Sequence, residues 1–283
     1  MNPEVSVFVP TYNASKYLCE CLDSLLNQSY PIAQIVICDD ASTDGTQEII
    51  LNYQELHPQV IQPLLHKKNQ GASTNFNSGF SAMTGDLVSV IGGDDWWLPT
   101  KVEKEVEALR ANPAARWVYS DSFFYLQDND SLRPIRQKYD GDSGDILANL
   151  LTRKISLRNW MAEKSLIDET GNFDETLNTY EDWDYKIRLA SKAQIAHTGN
   201  RAIVYRQHAS GLSNVHSIKP ENLKAIYLKH GHLLEALDNT KRLEIEKIWE
   251  KQLISKPLNP TYVKYRRMIS SFVRRLAPFI FKQ

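Results

Sequence analysis

The sequence predicts an α/β fold in which helices flank a mostly parallel central sheet. Short β-branched runs alternate with stretches of helical periodicity over the first third of the 283 residues, an order typical of right-handed βαβ units. Polar clusters follow three of the predicted strands, at residues 10–13, 39–44 and 92–95. Ligands of such sheets bind at the carboxyl ends of the strands, so these clusters predict a binding site.

The individual elements follow from local patterns. The run from Ile35 to Cys38 is apolar throughout, which is typical of a central parallel strand. Strands are predicted at residues 5–9, 35–38, 60–65, 87–91, 117–126 and 202–205. Apolar residues at helical spacing predict helices at residues 18–26, 46–56, 73–83, 101–110, 181–191 and 220–251.

Composition and charge exclude several classes of protein. Hydrophobic residues make up 42% and charged residues 24% of the chain, as in soluble globular proteins, and no run approaches the roughly 20 apolar residues that span a bilayer. The net charge is −1, but residues 251–283 carry eight Lys or Arg and no Asp or Glu, which leaves about −9 on residues 1–250. An acidic body argues against nucleic acid as a partner. The N-terminus lacks the basic and apolar regions of a signal peptide, which predicts a cytoplasmic protein.

Carboxylates dominate the polar clusters. Asp39 and Asp40 follow a buried strand, where they could accept hydrogen bonds from a base or a ribose; an ordinary capped turn is the alternative. Asp94 and Asp95 follow two glycines, and their hard oxygens suit Mg²⁺ or Mn²⁺ held with a diphosphate. A solvated turn is the alternative there. The acids of residues 181–184 open a helix, where acids usually interact with the helix dipole.

Taken together, five blocks in order resemble glycosyltransferase family 2, a large inverting family with the GT-A fold. The blocks are Val7–Asn13, Ile37–Thr46, Asn69–Asp86, Ile91–Pro99 and Gly171–Arg188. The resemblance implies a GT-A domain over residues 1–215, with a nucleotide-binding half at about 1–100 and an acceptor half at about 101–215. Residues 216–283 would form a helical C-terminal extension.

The same resemblance implies roles for single residues. Asp182 would be the general base, and Asp94 with His208 would hold Mn²⁺ or Mg²⁺. The nucleotide sugar would be bound by Pro10, Thr11, Tyr12, Asp39, Asp40, Asn69, Gly71, Ser73, Gly93, Asp94 and Arg206. Acceptor contacts are predicted for Trp97, Arg158, Trp160 and Glu181, with packing as the alternative for the tryptophans. Two positions depart from many relatives: Gly92 replaces the first acid of the metal motif, and Phe76 replaces an arginine.

The resemblance implies a transferase that moves a sugar from a nucleoside-diphosphate sugar to a hydroxyl of a glycan or lipid-linked glycan, with inversion. By family analogy, the setting is bacterial surface polysaccharide synthesis. A nucleotidyltransferase that makes a nucleotide sugar is one alternative, although Pro10–Ala14 lacks the Gly-rich, Arg-containing loop that it would need. A noncatalytic nucleotide-sugar-binding subunit is another, and it would predict loss of Asp94 or Asp182.

The basic C-terminal tail, residues 260–283, makes a separate prediction. Its apolar residues would form one face of a helix flanked by Lys and Arg, a pattern that suits an anionic membrane surface. A tail of this kind would make the cytoplasmic protein peripheral on the inner face of the cell membrane. Packing of the tail on the acidic body is the alternative, and the oligomeric state stays open.

Overall fold

The structure is a computed structural model that describes residues 2–135, 143–155, 157–177, 179–208 and 220–254. The chain divides into two compact units, Met1–Asn222 and Leu223–Gln283. The described part of the first unit contains one large sheet with helices around it. The predicted tail, residues 260–283, lies outside the described residues.

The sheet has nine strands among the described residues. In chain order they are β1 (Val5–Thr11), β2 (Gln34–Asp39), β3 (Ile61–Leu65), β4 (Leu87–Val90), β5 (Trp96–Trp97), β6 (Ala115–Leu126), β7 (Ser131–Pro134), β8 (Met161–Glu163) and β9 (Gln194–Gln207). Their spatial order is β3-β2-β1-β4-β8-β6-β9-β5, and β7 pairs with β6. Strands β1 to β4 run parallel to one another, as the sequence predicts.

Seven α-helices surround the sheet in the described part of the first unit. They are α1 (Leu18–Leu26), α2 (Thr46–Leu56), α3 (Ala72–Ala82), α4 (Lys101–Ala111), α5 (Leu147–Leu151), α6 (Lys164–Thr170) and α7 (Glu181–Ala190). A short 3₁₀ helix, Gln127–Asn129, connects β6 to β7. The helices α1 to α4 and α7 match the predicted ones within two residues at each end, which is the usual scatter of helix boundaries.

The sheet becomes mixed beyond β4. Strand β8 lies between β4 and β6 and runs antiparallel to both, whereas β6 and β9 run parallel. Strand β9 is much longer than the predicted 202–205. The sequence does not predict its first half, because polar residues and Gly199 interrupt the apolar run there. The pairing of β6 with β9 shifts register near Asp121. One continuous sheet therefore joins strands β1 to β4 to the rest of the unit.

Both faces of β1 are buried, since alternate side chains of a strand point to opposite faces. Val7 and Val9 belong to an apolar cluster with Leu22 of α1 and Ile35 of β2. On the other face, Phe8 makes an edge-to-face contact with Phe80 of α3, with ring centroids 5.7 Å apart. This packing on both faces fixes the position of β1 and therefore of the residues at its carboxyl end.

Gly79 of α3 makes a close approach that a larger residue would prevent. A Cβ at this position would lie 2.1 Å from Cε2 of Phe8, a ring that is fully buried in the sheet. Gly79→Ala should therefore lower the free energy of unfolding by about 1–3 kcal/mol, as measured by urea denaturation. Gly231→Ala is the control, because a Cβ added there would meet no atom within 4 Å beyond its immediate chain neighbours. Equal losses in both variants would contradict the prediction.

The chain continues as α8 (Pro220–His230), a 3₁₀ helix (Gly231–Ala236) and α9 (Asn239–Ile254). The helical pattern predicted over 220–251 is confirmed, and the structure divides it into consecutive helical segments. Asp238 accepts a hydrogen bond from the backbone N of Lys241 at 2.9 Å, which caps a new helix. Tyr227 stacks on Trp249, with ring centroids 4.3 Å apart. Within the described ranges, no helix combines the length and apolar character needed to cross a membrane.

Candidate active site

Asp39 ends β2 and is bonded on both carboxylate oxygens. Its Oδ1 accepts from Thr11 Oγ1 at 3.1 Å, and its Oδ2 accepts from the backbone N of Ser42 at 2.9 Å and Gln47 Nε2 at 2.8 Å. These contacts join the end of β1 to the loop after β2 and to α2. Asp39, which is fully buried, therefore shapes the loop through its own side chain.

Asp40 shapes the next loop in the same manner. Its Oδ1 accepts from the backbone N of Gln70 at 2.7 Å and lies 3.3 Å from His66 Nδ1. Its Oδ2 accepts from the backbone N of Gly71 at 2.9 Å, where the backbone has a φ of 87°, a conformation that favours glycine. The Asp40 carboxylate thus holds the segment that leads into α3.

The remaining residues predicted to bind the nucleotide lie around these two carboxylates. Tyr12 is 50% exposed, and Asn69 is exposed as well, so both present free surface at the strand ends. Ser73 donates to the backbone O of Asp174 at 3.2 Å, which ties α3 to the segment before α7. Gly93 donates to the backbone O of Pro10 at 3.3 Å. The structure therefore brings the predicted nucleotide residues to one edge of the sheet.

Asp94 and His208 face each other beyond the end of β4. Asp94 Oδ2 lies 3.1 Å from His208 Nε2, and the Asp94 side chain is 35% exposed. At Gly92, where the metal motif departs from many relatives, a Cβ would lie 2.8 Å from Asp94 Oδ1. Among the described residues, no group of three or more His, Cys, Asp or Glu is placed to hold a metal ion.

The donor set of Asp94 and His208 nevertheless fits a divalent ion that is bound together with a substrate. Carboxylate oxygen and imidazole nitrogen both ligate Mn²⁺, whereas Mg²⁺ favours oxygen alone. Diphosphate oxygens and water would complete the coordination of such an ion. The pair therefore favours Mn²⁺ over Mg²⁺.

Arg206 is held against residues 94–95 by several contacts. Its backbone N donates to Asp95 Oδ1 and its Nε donates to the backbone O of Asp94, both at 3.0 Å. The guanidinium forms an ion pair with Glu20 and lies 4.6 Å from the ring centroid of Trp96. Arg206 is predicted to contact the nucleotide sugar, and in the structure it holds residues 94–95 in place. Burial, followed by the neighbouring Asp94 charge, raises the pKa of Asp95 well above its ordinary value.

A cavity of about 210 Å³ opens between the strand ends and α7. Its lining residues are Pro10, Phe76, Val90, Gly92, Asp95, Leu157, Arg158, Asn159, Trp160, Phe173, Asp182, Tyr185, Lys186 and Tyr205. The cavity brings together Pro10, Arg158, Trp160 and Asp182 of the predicted set. Trp97 lies in the core instead, 2% exposed, and Glu181 does not line the cavity.

Several cavity residues were not predicted from the sequence. Phe76 takes the place of an arginine in many relatives, and it packs on Phe173 with ring centroids 4.7 Å apart. Phe173 stacks in turn on Tyr185 at 4.0 Å, so aromatic rings form one wall. Lys186 is the residue that a pattern could have revealed, because it follows Asp182 by four positions on a helix, where side chains meet.

Asp182 stands at the mouth of the cavity in the first turn of α7. Its side chain is 55% exposed, and its Oδ2 accepts from Lys186 Nζ at 2.7 Å. Desolvation raises the pKa of Asp182, but the Lys186 ammonium, the backbone N–H of Trp183 and the charge of Arg158 outweigh it, so that the pKa is lowered overall. Asp182 is therefore ionised at neutral pH and can accept a proton.

Contacts at both ends of α7 fix the position of Asp182. Trp183 donates from Nε1 to the backbone O of Leu150 at 2.8 Å, which ties the first turn to α5. Arg188 pairs with Asp184 at 3.0 Å and donates to the backbone O of Thr170 at 2.8 Å. Tyr180, the residue before the helix, has a φ of 67°, which turns the chain sharply into α7.

Glu181 makes the stability of the fold depend on pH. Burial, followed by the Asp182 charge, raises the pKa of Glu181 from 4.5 to about 7. A group with a raised pKa contributes stability at low pH, and this contribution is lost as the pH rises through the folded-state pKa. Glu181→Gln should therefore increase the free energy of unfolding by about 1–3 kcal/mol at pH 8 and change it little at pH 4. Urea denaturation at both pH values measures this, and an equal effect at the two would contradict it.

Comparison with known proteins identifies the family. Residues 6–169, more than half of the chain, match the family model described as Glycosyl transferase family 2. The chondroitin synthase of Escherichia coli is 27% identical over 250 residues, which are 87% of this chain and 34% of that protein. The chain spans between 34% and 60% of the length of five curated relatives that it matches.

Comparison with solved structures identifies the fold. Residues 1–349 of S. aureus TarS in complex with UDP-GlcNAc superpose with a TM-score of 0.68 at 19% identity, covering 87% of this chain and 70% of that one. The mannosyltransferase PcManGT from Pyrobaculum calidifontis, in complex with GDP-Man and Mn²⁺, has a TM-score of 0.56 at 18% identity and covers 96% and 81%. The family and the fold predicted from the sequence are thus confirmed. The chain has the GT-A fold and belongs to glycosyltransferase family 2.

Proposed function

We propose that the chain transfers a sugar from a nucleoside-diphosphate sugar to an acceptor hydroxyl, with inversion at the anomeric carbon. The observation that carries this proposal is the cavity itself. It connects the carboxyl ends of β1 and β4, at Pro10 and Gly92, with an ionised carboxylate, Asp182. A donor bound at the strand ends would therefore present its sugar to a base on the opposite side.

The donor site rests on the strand-end geometry. Asp39 and Asp40 rigidify the two loops, and Tyr12 and Asn69 offer an exposed ring and amide to a nucleotide. TarS was solved with UDP-GlcNAc and PcManGT with GDP-Man, and these complexes support a nucleotide-sugar donor for this chain. Asp94 and His208 would hold a Mn²⁺ ion, which when bound neutralises charge on a departing diphosphate.

Asp182 would act as the general base. The acceptor hydroxyl oxygen forms a bond to the anomeric carbon as the bond from that carbon to the diphosphate oxygen breaks, and the hydroxyl proton passes to Asp182. Attack from the face opposite the diphosphate inverts the configuration. Lys186 keeps the carboxylate ionised and orients it through the 2.7 Å contact. A base in this role contributes about 10²–10⁴-fold to the rate.

The acceptor is proposed to be a glycan or a lipid-linked glycan, in the synthesis of a surface polysaccharide. Arg158 and Trp160 line the cavity beside Asp182, and Tyr205 lies under the Arg158 guanidinium, 4.4 Å from it. Aromatic faces and a cation of this kind suit a sugar with polar substituents. The similarity to chondroitin synthase, whose name describes a polysaccharide product, supports this proposal.

Calorimetry with sugar nucleotides tests the donor proposal. UDP-GlcNAc, UDP-glucose and GDP-mannose are titrated with and without Mn²⁺, and one of them should bind with micromolar affinity in the presence of Mn²⁺. NMR of the product should then show an anomeric configuration opposite to that of the donor. Retention would contradict inversion. Formation of a nucleotide sugar from a nucleoside triphosphate and a sugar phosphate, with release of pyrophosphate, would instead favour the nucleotidyltransferase.

Membrane association through the tail is a separate proposal. The full chain should float with vesicles that contain anionic lipid, since each basic residue near such a surface contributes about 1 kcal/mol. A chain that ends at Asn259 should stay with the soluble fraction, because it lacks all six Lys and Arg residues of the tail. Equal flotation of both proteins would contradict a role for the tail.

A further inference from the structure

An ion pair lies completely buried behind the cavity. Lys101 Nζ is 2.7 Å from Glu105 Oε2, and both side chains have no exposed surface. Removal of two charges from water costs several kcal/mol per ion, and apolar residues of similar volume often serve stability as well or better. Stability alone therefore does not explain this ion pair, and the residues that contact Lys101 and Glu105 indicate a further role.

Lys101 reaches the cavity wall by two routes. Its Nζ donates to Ser89 Oγ at 2.8 Å, and Ser89 Oγ donates to the backbone O of Trp160 at 2.7 Å. The same ammonium lies 3.6 Å from the ring centroid of Trp97, whose Nε1 donates to Asn159 Oδ1 at 3.2 Å. Two consecutive residues of the cavity wall are thus held through one ammonium group.

Glu105 connects the pair to the other side of the sheet. Its Oε1 accepts from Ser120 Oγ of β6 at 2.9 Å, and Thr198 Oγ1 of β9 lies 3.1 Å from the same hydroxyl. Ser120 and Thr198 do not line the cavity. The pair therefore has two hydrogen-bonded branches. The branch from Lys101 leads to the cavity wall, and the branch from Glu105 leads away from it to β6 and β9.

We infer that Lys101 and Glu105 are positioning residues that hold the Asn159–Trp160 wall of the cavity for sugar transfer. Residues 157–160 precede the three-residue strand β8 and form no helix or strand themselves. Their placement consequently depends on side-chain contacts. The Trp160 ring packs against Phe80 and Tyr185, and the two buried routes from Lys101 hold the Trp160 carbonyl and the Asn159 amide. The part of the inference that assigns the wall to sugar transfer rests on the proposed function, whereas the positioning of the wall by Lys101 does not.

Two matched serine variants test this. Ser89→Ala breaks the branch to Trp160, and Ser120→Ala breaks the branch from Glu105; both hydroxyls are buried, and each variant removes one hydroxyl. In hydrogen–deuterium exchange, the peptide containing residues 157–163 should exchange about five- to tenfold faster in Ser89→Ala, as expected for one lost hydrogen bond. It should change by less than about twofold in Ser120→Ala. Equal exchange in the two variants would overturn the inference.

Turnover of whichever of UDP-GlcNAc, UDP-glucose and GDP-mannose binds in calorimetry, followed as release of its nucleoside diphosphate, supplies the functional readout. Ser89→Ala should lower kcat by about five- to tenfold, with the affinity for UDP unchanged, whereas Ser120→Ala should match the wild type. Faster exchange in Ser89→Ala with unaltered kcat would overturn the role in transfer. The exchange measurement needs no substrate. A wild-type protein that turns over none of the three donors would count against the proposed function, and the exchange rates would still decide whether Lys101 positions the wall.

Lys101→Met with Glu105→Leu separates positioning from stability. Loss of both charges should restore the melting temperature relative to Lys101→Met alone, because no unpaired buried charge remains. If the pair only stabilises the fold, the double variant should also recover slow exchange in residues 157–163. The positioning role predicts that exchange stays about five- to tenfold fast, because the donor to Ser89 is absent.

Discussion

Asp182→Asn should reduce turnover by about 10²–10⁴-fold while the affinity for UDP in calorimetry stays within about threefold of the wild type. The amide cannot take up the acceptor proton, but it has nearly the shape of the carboxylate and leaves the strand-end loops intact. The exposed position of the side chain means that the fold should be little affected. Initial rates of nucleoside-diphosphate release with the donor found by titration measure the loss.

Glu181→Gln is the matched control for this variant. Glu181 is the adjacent carboxyl on α7 but does not line the cavity, so its loss should change turnover by less than about tenfold. Its pKa of about 7 would also suit a base at neutral pH. A large loss in Glu181→Gln combined with a small one in Asp182→Asn would therefore transfer the catalytic role to Glu181.

Asp94→Ala should abolish the gain in nucleotide affinity that Mn²⁺ produces and should lower turnover by about 10²–10³-fold, as expected for loss of Lewis-acid stabilisation of a diphosphate. His208→Ala should show the same pattern in weaker form, because the Asp94 carboxylate remains. Calorimetry with UDP at several Mn²⁺ concentrations measures the dependence. An undiminished response to Mn²⁺ in both variants would place the ion elsewhere.

Glu20→Gln controls for a general loss of negative charge near the loop. Glu20 forms an ion pair with Arg206, whereas Asp94 pairs with His208, so the variant should retain the Mn²⁺ dependence. Because Glu20 is half exposed, its ion pair should contribute less than about 1 kcal/mol. A loss of Mn²⁺ response equal to that of Asp94→Ala would mean that loop position, rather than ligation, sets the response.

The fold could be predicted where the pattern is local and strong. The strands β1, β2 and β4 are apolar runs closed by turn residues, and alternation with helices gives a parallel order. The strand Met161–Glu163 could not be predicted, because three residues are too few to show a period and its antiparallel place is set by neighbours distant in the chain. The full length of β9 has no local signal either, since Thr198 to Asn200 is polar and contains a glycine, although the pairing with β6 continues on both sides.

The candidate site could be predicted in its location and less in its contacts. The strand-end clusters identify the edge, since topology alone brings those ends together. Partners across large sequence separations have no local signal: the bonds from Asp40 to Gly71 and from Arg206 to Asp94 join residues that no periodicity relates. Trp97 follows the packing alternative instead of the predicted acceptor contact, because its ring is buried in the core against the Lys101 ammonium.

The antiparallel strand β8 has a consequence for how the first unit folds and unfolds. Its three residues pair with β4 on one side and β6 on the other. The strands β1 to β4 and the strands β6 and β9 therefore belong to one sheet only through β8. A fragment that ends near residue 100 would leave the β4 edge unpaired, and bare edges of this kind promote aggregation. The unit should therefore melt in one cooperative step, and the chain should resist division into separately expressed halves.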